Sequence, residues 1–416
     1  MTCSAEDASR LVDACRLLVS SLDVDEVLDR ACRSAAELLG ADSARLAALD
    51  EKGARLHAER VLAGGRLSRA TDASWPAGRG LAGLAAATGE GSLCADAQTD
   101  RRFDAAIDGF PGVAARALVT APLEDGGRLL GVIQAAASRP GAFGPEHLAL
   151  LGKFAGLAAA ALARARSHRS AVAEERSRYE LALAAEIQKS LLPTQLPDTG
   201  TFEFDAVCLP AQQVGGDLYD IFRFPDGRIC AVLGDVSGKG VPAALYMTWM
   251  VAELRLLAER AGGLAELMYE LNRRLRARST RGIFVTLMAG LFSPRTGHIE
   301  VASAGHHPPL LRRGDGRVEE VPYPSAPPLG IVEGQRYPTA CLLLAPGEAA
   351  LGFTDGVVEA LNPRRETFGV GRLKEAFAEG CGPGTLMRIL KRLARFADGT
   401  PPRDDTTMVL MWRKEG

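Results

Sequence analysis

A chain that carries 45 glycines and 23 prolines runs from Ala158 to Leu192 without either. Those two residues are the ones that interrupt helices, so the stretch predicts a single long helix with a charged middle (Arg164, Arg166, Glu174, Glu175, Arg176, Arg178) and apolar ends. Pro193 and Pro197 stop it. The helix divides 416 residues into two parts, each long enough to bury its own core. Along it, Val172, Tyr179, Leu183, Ile187 and Leu191 form a drifting apolar stripe with one seven-residue step, short of a heptad seam. A dimeric signalling helix and a solvated single helix both fit that pattern.

Charge excludes one class of partner. Lys and Arg number 49 against 51 Asp and Glu, a net charge of −2, so no basic field is available to hold a nucleic-acid backbone. The eight cysteines are scattered without a C-x-x-C pair, which predicts buried thiols in a reducing cytosol. An acidic start without an apolar run predicts no secretory signal, and the uncharged stretch from Phe154 to Ala163 falls short of the roughly 20 residues of a membrane span. The expectation is a cytoplasmic protein with no nucleic-acid partner and no membrane segment.

The first part reads as mixed α/β. Apolar residues at helical spacing predict helices over Ala8–Leu22 and Val24–Leu39, with Asp23 as the cap of the second. Short apolar runs follow at 44–49, 92–95, 117–123 and 129–136, the last two joined by the hairpin signal Asp125-Gly126-Gly127. Phe143-Gly-Pro145 then starts a closing helix. With Gly78-Arg-Gly-Leu-Ala-Gly-Leu-Ala, Cys94-Ala-Asp96, Asp100-Arg-Arg-Phe103, Val119-Thr-Ala-Pro-Leu123 and Gly131-Val-Ile-Gln134 in this order, residues 6–166 resemble a GAF domain. The resemblance implies a sensory module with a small-molecule ligand, or a dimerisation scaffold; residues 167–192 would be a helical linker.

The second part, 193–414, holds four acidic clusters beside glycines: Val214-Gly-Gly-Asp217-Leu-Tyr-Asp220, Gly234-Asp235-Val-Ser-Gly-Lys-Gly240, Phe353-Thr-Asp355-Gly356 and Asp404-Asp405-Thr-Thr407. At least three adjoin an apolar strand-like run. Carboxylates at strand ends can converge on one sheet edge, and an all-oxygen donor set suits Mg²⁺ or Mn²⁺. Each Asp-Gly alone is more often a turn.

Together with Ile187-Gln-Lys-Ser-Leu-Leu-Pro193, Phe284-Val-Thr-Leu287 and Ser303-Ala-Gly-His-His-Pro-Pro-Leu-Leu311, the four clusters resemble the metal-dependent serine/threonine protein phosphatases of the bacterial SpoIIE/RsbU-like branch. That resemblance implies an α-β-β-α sandwich of two antiparallel sheets, so the fold class is α/β in the α+β sense. It implies two Mn²⁺ or Mg²⁺ ions, with Asp235 bridging them and the Val236 carbonyl on one. Asp355 and Asp404 complete the other shell, and Asp217 is a further ligand or proton-handling group. Asp220 and Asp405 are less certain members. The implied substrate is a phosphorylated protein, an anti-sigma-factor antagonist, and the implied assembly a homodimer regulated through the GAF domain. Phe353 stands where the family has Tyr, Glu348 where it has Asp, and no arginine is identifiable as a phosphate grip.

Three look-alikes fail on spacing. Gly234 to Gly240 has three residues between its glycines and Gly after Lys239, so it is not a Walker A loop. Gly215-Gly216-Asp217 lacks the Glu-Phe of a diguanylate cyclase. His306 and His307, adjacent on an apparent strand, would point to opposite faces, and a structural role is expected for the pair. The competing functional class is a pseudophosphatase that transmits a GAF signal without catalysis, which a metal-titrated phosphatase assay distinguishes.

Overall fold

The computed structural model describes residues 5–70, 73–278 and 282–415. The chain divides into two compact units, residues 1–177 and 178–416.

The first unit opens with α1 (Ala5–Val19) and α2 (Val24–Leu39). Asp23 caps α2, its Oδ1 accepting from the Glu26 amide at 2.8 Å, and Gly40 closes it in the left-handed region. The expected extension of α1 to Leu22 does not occur. Ser21 and Asp23 are spent on starting α2, and Leu22 is left exposed. Then come β1 (Ser43–Leu49), β2 (Arg55–Ala63), β3 (Arg66–Arg69), β4 (Ser74–Pro76), α3 (Gly80–Thr88), β5 (Ser92–Cys94), α4 (Ala105–Asp108), β6 (Ala117–Asp125) and β7 (Arg128–Ala137). Among the described residues they form a seven-stranded antiparallel sheet in the order β3-β2-β1-β7-β6-β5, with β4 on β2.

One face of this sheet buries α1, α2 and the start of α5 (Pro145–Leu191) through Leu18, Leu28, Leu46, Ile133, Leu151 and Phe154. The other face carries α3 and α4. The closing helix and the linker helix anticipated separately are one continuous α5.

The second unit continues with β8 (Phe202–Leu209), β9 (Leu218–Arg223), β10 (Ile229–Val236), α6 (Val241–Ala258), α7 (Leu264–Arg278), β11 (Val285–Phe292), β12 (His298–Ala304), β13 (Leu310–Arg312), β14 (Val318–Glu320), β15 (Ser325–Ala326) and β16 (Ala340–Leu343). It ends with β17 (Ala349–Phe353), α8 (Asp355–Val358), α9 (Gly369–Ala378), α10 (Thr385–Ala397) and β18 (Thr406–Arg413). Two sheets result, ordered β15-β12-β11-β10-β9 with β16 on β12, and β14-β13-β17-β18-β8. They pack face to face through Tyr219, Ile221, Leu233, Val301, Leu311 and Val409. Outside the first sheet lie α6 and α7, and outside the second α9 and α10. The architecture is α-β-β-α, as anticipated, with one parallel pair, β12 with β15, in otherwise antiparallel sheets.

The thiols depart from expectation. Cys32, Cys94 and Cys230 are buried, but Cys15, Cys208 and Cys381 are half-buried and Cys341 is exposed on the edge strand β16; Cys3 lies outside the described residues. Two helices, Pro145–Leu191 and Val241–Ala258, are long and apolar enough to cross a membrane by length and composition. Both commit apolar positions to a core, Phe154, Ala158 and Leu162 in one and Met247, Met250 and Leu254 in the other.

Candidate functional site

The second unit gathers its acidic clusters where β10, β17 and the chain entering β18 end beside the loop before β9. Apolar Ile229, Cys230, Val232 and Leu233 bury β10 between β9 and β11, which delivers Asp235 half-buried at the strand's end. Beyond it the chain turns through Ser237, whose amide donates to the Phe284 carbonyl and whose hydroxyl accepts from the Phe284 amide, both at 2.9 Å. Asp355 is the first residue of α8, directly after β17. Thr354 between them is fully buried and donates to Asp217 Oδ2 at 2.8 Å.

Asp404 and Asp405 divide their work. Asp405 is buried and accepts from the amides of Ala211 at 2.8 Å, Gly216 at 2.7 Å and Asp217 at 3.4 Å. Asp404 points the other way, with Oδ2 2.8 Å from Lys239 Nζ. The glycines of the motifs are needed for close approach: a Cβ on Gly215 would lie 2.3 Å from Asp405 Oδ2, and one on Gly356 would lie 2.0 Å from the Asp405 carbonyl oxygen. The same holds for Gly216, against the Val236 carbonyl at 2.9 Å.

These carboxylates repel one another. Burial, then Asp355, Asp404 and Asp405, push Asp235 up to about 7, with Lys239 opposing. Burial and Asp404 raise Asp355, against a small pull from His307. Burial raises Asp217 well above the carboxylate range, with Asp235 adding to it. Among the described residues no three His, Cys, Asp or Glu side chains close on a single point as ligands would. The donor set nonetheless fits hard divalent cations: it is all oxygen, crowded and short of positive charge.

Asp220 is elsewhere. It is fully buried on β9 and is held by Arg255 of α6, with Nε to Oδ2 at 2.6 Å and a terminal guanidinium nitrogen to Oδ1 at 2.9 Å. Period-two alternation puts it on the Leu218 face, toward α6 and away from the cluster. The histidines also correct the sequence reading, because both follow β12 rather than lying on a strand. His306 bridges Thr286 Oγ1 at 2.9 Å and the Phe353 carbonyl at 3.2 Å, and burial pushes it down to about 3, so it is neutral. His307 stacks on Phe353 at 5.6 Å.

Sequence reasoning missed three contributors. In the sequence Lys239 stands out only as the lysine of a loop that resembles a phosphate-binding one. Thr354 gave no signal beyond its place in a motif. Gln188, near the end of α5, is buried and brackets Gly215: its Nε2 donates to the Gly215 carbonyl at 2.7 Å and its Oε1 accepts from the Gly215 amide at 3.1 Å. Beside the cluster, a groove of about 700 Å³ runs from Asp404 and Gly356 along Leu390, Ala394 and Pro402.

In the first unit, the α3/α4 face of the sheet carries a buried polar network. The Arg45 guanidinium lies between Trp75 and Phe110, 4.9 and 5.0 Å from their ring centres, and donates to Gln134. Gln134 donates in turn to Asp108 at 3.2 Å and Thr120 at 3.1 Å, and Asp108 accepts from the amides of Leu81 and Ala82.

Two face-to-face sheets flanked by helices, with carboxylates converging at one edge, define a PP2C-type phosphatase fold, here joined in one chain to a mixed α/β unit. The SiaA-PP2C domain of Pseudomonas aeruginosa shares that fold, with a TM-score of 0.52 at 22% identity over 59% of this chain and 100% of that one. Residues 225–414 match the family model of stage II sporulation protein E (SpoIIE), and residues 21–163 match a GAF domain. The chain therefore carries a GAF domain followed by a SpoIIE-family phosphatase domain. Among curated proteins, "Protein IcfG" of Synechocystis sp. is 29% identical over 57% of this chain and 42% of its own length. "Phosphoserine phosphatase RsbU" of Bacillus subtilis is 26% identical over 58% of this chain and 72% of its own. The matched region spans less than half of IcfG.

Two outcomes test this electrostatic description. Removing Arg255 strands the buried Asp220 charge, so Arg255→Ala should cost about 2 kcal/mol in urea unfolding, reduced from a fully buried pair because the arginine is half exposed; turnover per folded molecule should be unchanged. The second concerns Asp235, whose folded pKa lies above its ordinary 3.8. Below pH 3.8 both states hold the proton and the group contributes nothing; as pH rises toward about 7 the folded state is increasingly disfavoured. In metal-free buffer Asp235→Asn should therefore gain stability over wild type across that window, whereas a pH-independent difference in urea midpoints contradicts the raised pKa.

Proposed function

We propose that the chain is a metal-dependent phosphatase acting on phosphoserine or phosphothreonine of a signalling protein. The observation that carries this reading is the convergence of Asp235, Asp355, Asp404 and Asp217, where burial first and neighbouring carboxylates second raise Asp235 to about 7. Crowded, desolvated carboxylates at one sheet edge are an arrangement that bound divalent cations would stabilise.

In this reading two Mn²⁺ or Mg²⁺ ions, when bound, supply a water activated for in-line attack and positive charge for the phosphoryl oxygens. Asp235 would hold both ions, and the Val236 carbonyl, facing Gly216, would serve one of them. Asp355 and Asp404 would hold the other. Asp217, held by Thr354, orients solvent at the cluster or takes its proton. Asp405 positions the loop and binds no metal. No cysteine or serine nucleophile is required.

The substrate we assign is a phosphorylated anti-sigma-factor antagonist, in line with the SpoIIE-family match and with the phosphoserine phosphatase named among the relatives. The proposed working division is a GAF sensory domain over 6–166 that takes a small-molecule ligand, a helical linker over 167–192 and a phosphatase domain over 193–414. The proposed location is the cytoplasm. Regulation enters through α5, whose last turns hold Gly215 by Gln188. The stripe Tyr179, Leu183, Ile187 and Leu191 is 71%, 47%, 57% and 37% exposed, which fits a partner helix in a homodimer.

Asp235→Asn is expected to fold and to lose turnover by at least a hundredfold at saturating Mn²⁺ on a phosphoserine peptide, because one charge is lost from both ion positions. Wild-type rates in that variant would refute the assignment. Replacing Leu183 and Ile187 together with Asp should change basal activity or its dependence on protein concentration. If turnover, metal affinity and sedimentation all match wild type, α5 is a passive tether.

A further inference from the structure

Dephosphorylation leaves one requirement unmet by the carboxylates. A phosphoryl group brings negative charge into a cluster that is already negative, and the sequence offers no arginine as its grip. We propose that Lys239 fills this role, holding the phosphoryl oxygens of the substrate; the inference rests on the phosphatase reading above.

Its placement carries the argument. Lys239 lies in the turn between β10 and α6, four residues after Asp235. Gly238 and Gly240 on either side take φ of 102° and 71°, left-handed values that favour glycine and let the turn present the side chain between them. Its ammonium reaches Asp404 Oδ2 at 2.8 Å and the Arg403 carbonyl at 2.6 Å. Among the described residues, the ion pair made to Asp235, Asp355 or Asp404 is this one. The side chain is still 54% exposed, so an incoming anion can meet it.

The ammonium carries three donors, of which these contacts use two. If Asp404 held a divalent ion, its carboxylate would have less charge to offer the ammonium, whose third donor is already free for an anion. The same turn opens the 18-residue α6, whose cap, Gly240, makes no side-chain hydrogen bond. The positive end of that helix thus starts one residue after the lysine's own turn. Arg255, also on α6, cannot substitute, because both its bonds go to Asp220.

The test uses the full chain with Lys239→Met and Lys239→Arg. At saturating Mn²⁺, Lys239→Met should raise both KM for a phosphoserine peptide and the inhibition constant of inorganic phosphate by about ten- to a hundredfold, the range of a lost charge-assisted hydrogen bond. Lys239→Arg should restore most of both. Mn²⁺ affinity, titrated calorimetrically without substrate, should be unchanged or tighter in Lys239→Met, since a competitor for Asp404 is gone. Unchanged KM and phosphate inhibition in a folded Lys239→Met protein would overturn the proposal. So would weakened Mn²⁺ binding with unchanged phosphate inhibition, which would make Lys239 a strut of the ion site. If wild type shows no metal-dependent turnover, the phosphatase reading fails, and calorimetric binding of inorganic phosphate to the Mn²⁺-loaded wild type and Lys239→Met still decides the lysine's role.

Discussion

The carboxylate of Asp405 accepts three backbone amides, from Ala211, Gly216 and Asp217, and the geometry of the acidic cluster depends on that clamp. It ties the chain entering β18 to the loop that leads into β9, elements almost two hundred residues apart. Ionised acceptors make the stronger hydrogen bonds, and burial strengthens them further. The approach is possible because Gly215 and Gly356 have no side chains in its way. With this segment seated, its neighbour Asp404 is directed outward toward Lys239, and Thr354 is placed to hold Asp217.

The clamp is opposed by the cluster it builds. Asp235, Asp355 and Asp217 are all pushed up by burial and then by neighbouring carboxylates. Two well-packed cores, one between each sheet and its helices, and a third between the sheets, offset that repulsion. Under the proposed function that local weakness is what bound cations would relieve, since positive charge is scarce at the assembled edge. Gln188 adds a second hold on the same loop from the end of α5, one residue before the amide bound by Asp405.

Much of this was legible in the sequence, for identifiable reasons. Asp235 and Asp355 could be read because each ends an apolar strand-length run and is followed within a few residues by glycine. Asp220 could not, since a string such as Gly-Gly-Asp-Leu-Tyr-Asp does not announce where the strand begins, and that start decides which face Asp220 takes. Strand β2 is hard to read because Arg55, His57, Glu59 and Arg60 dilute its apolar pattern, and Glu59 is an extra, bulged residue opposite the step from Leu46 to Ala47 on β1, which breaks the alternation of β2 itself. The turn placement of His306 and His307 was hidden by the apolar residues on both sides. Gln188 stood in a recognised motif, but its partner Gly215 lies 27 residues away and only the fold joins them.

The central claim is that this edge holds two divalent ions between Asp235, Asp355, Asp404 and the Val236 carbonyl. The most direct measurement is an anomalous difference map from crystals of the full chain grown in Mn²⁺. The account predicts two peaks at that edge, with Asp235 oxygens touching both and Asp405 and Asp220 touching neither. Data showing no peak there at millimolar Mn²⁺, or Mn²⁺ held instead by Asp220 or the histidines, would contradict it.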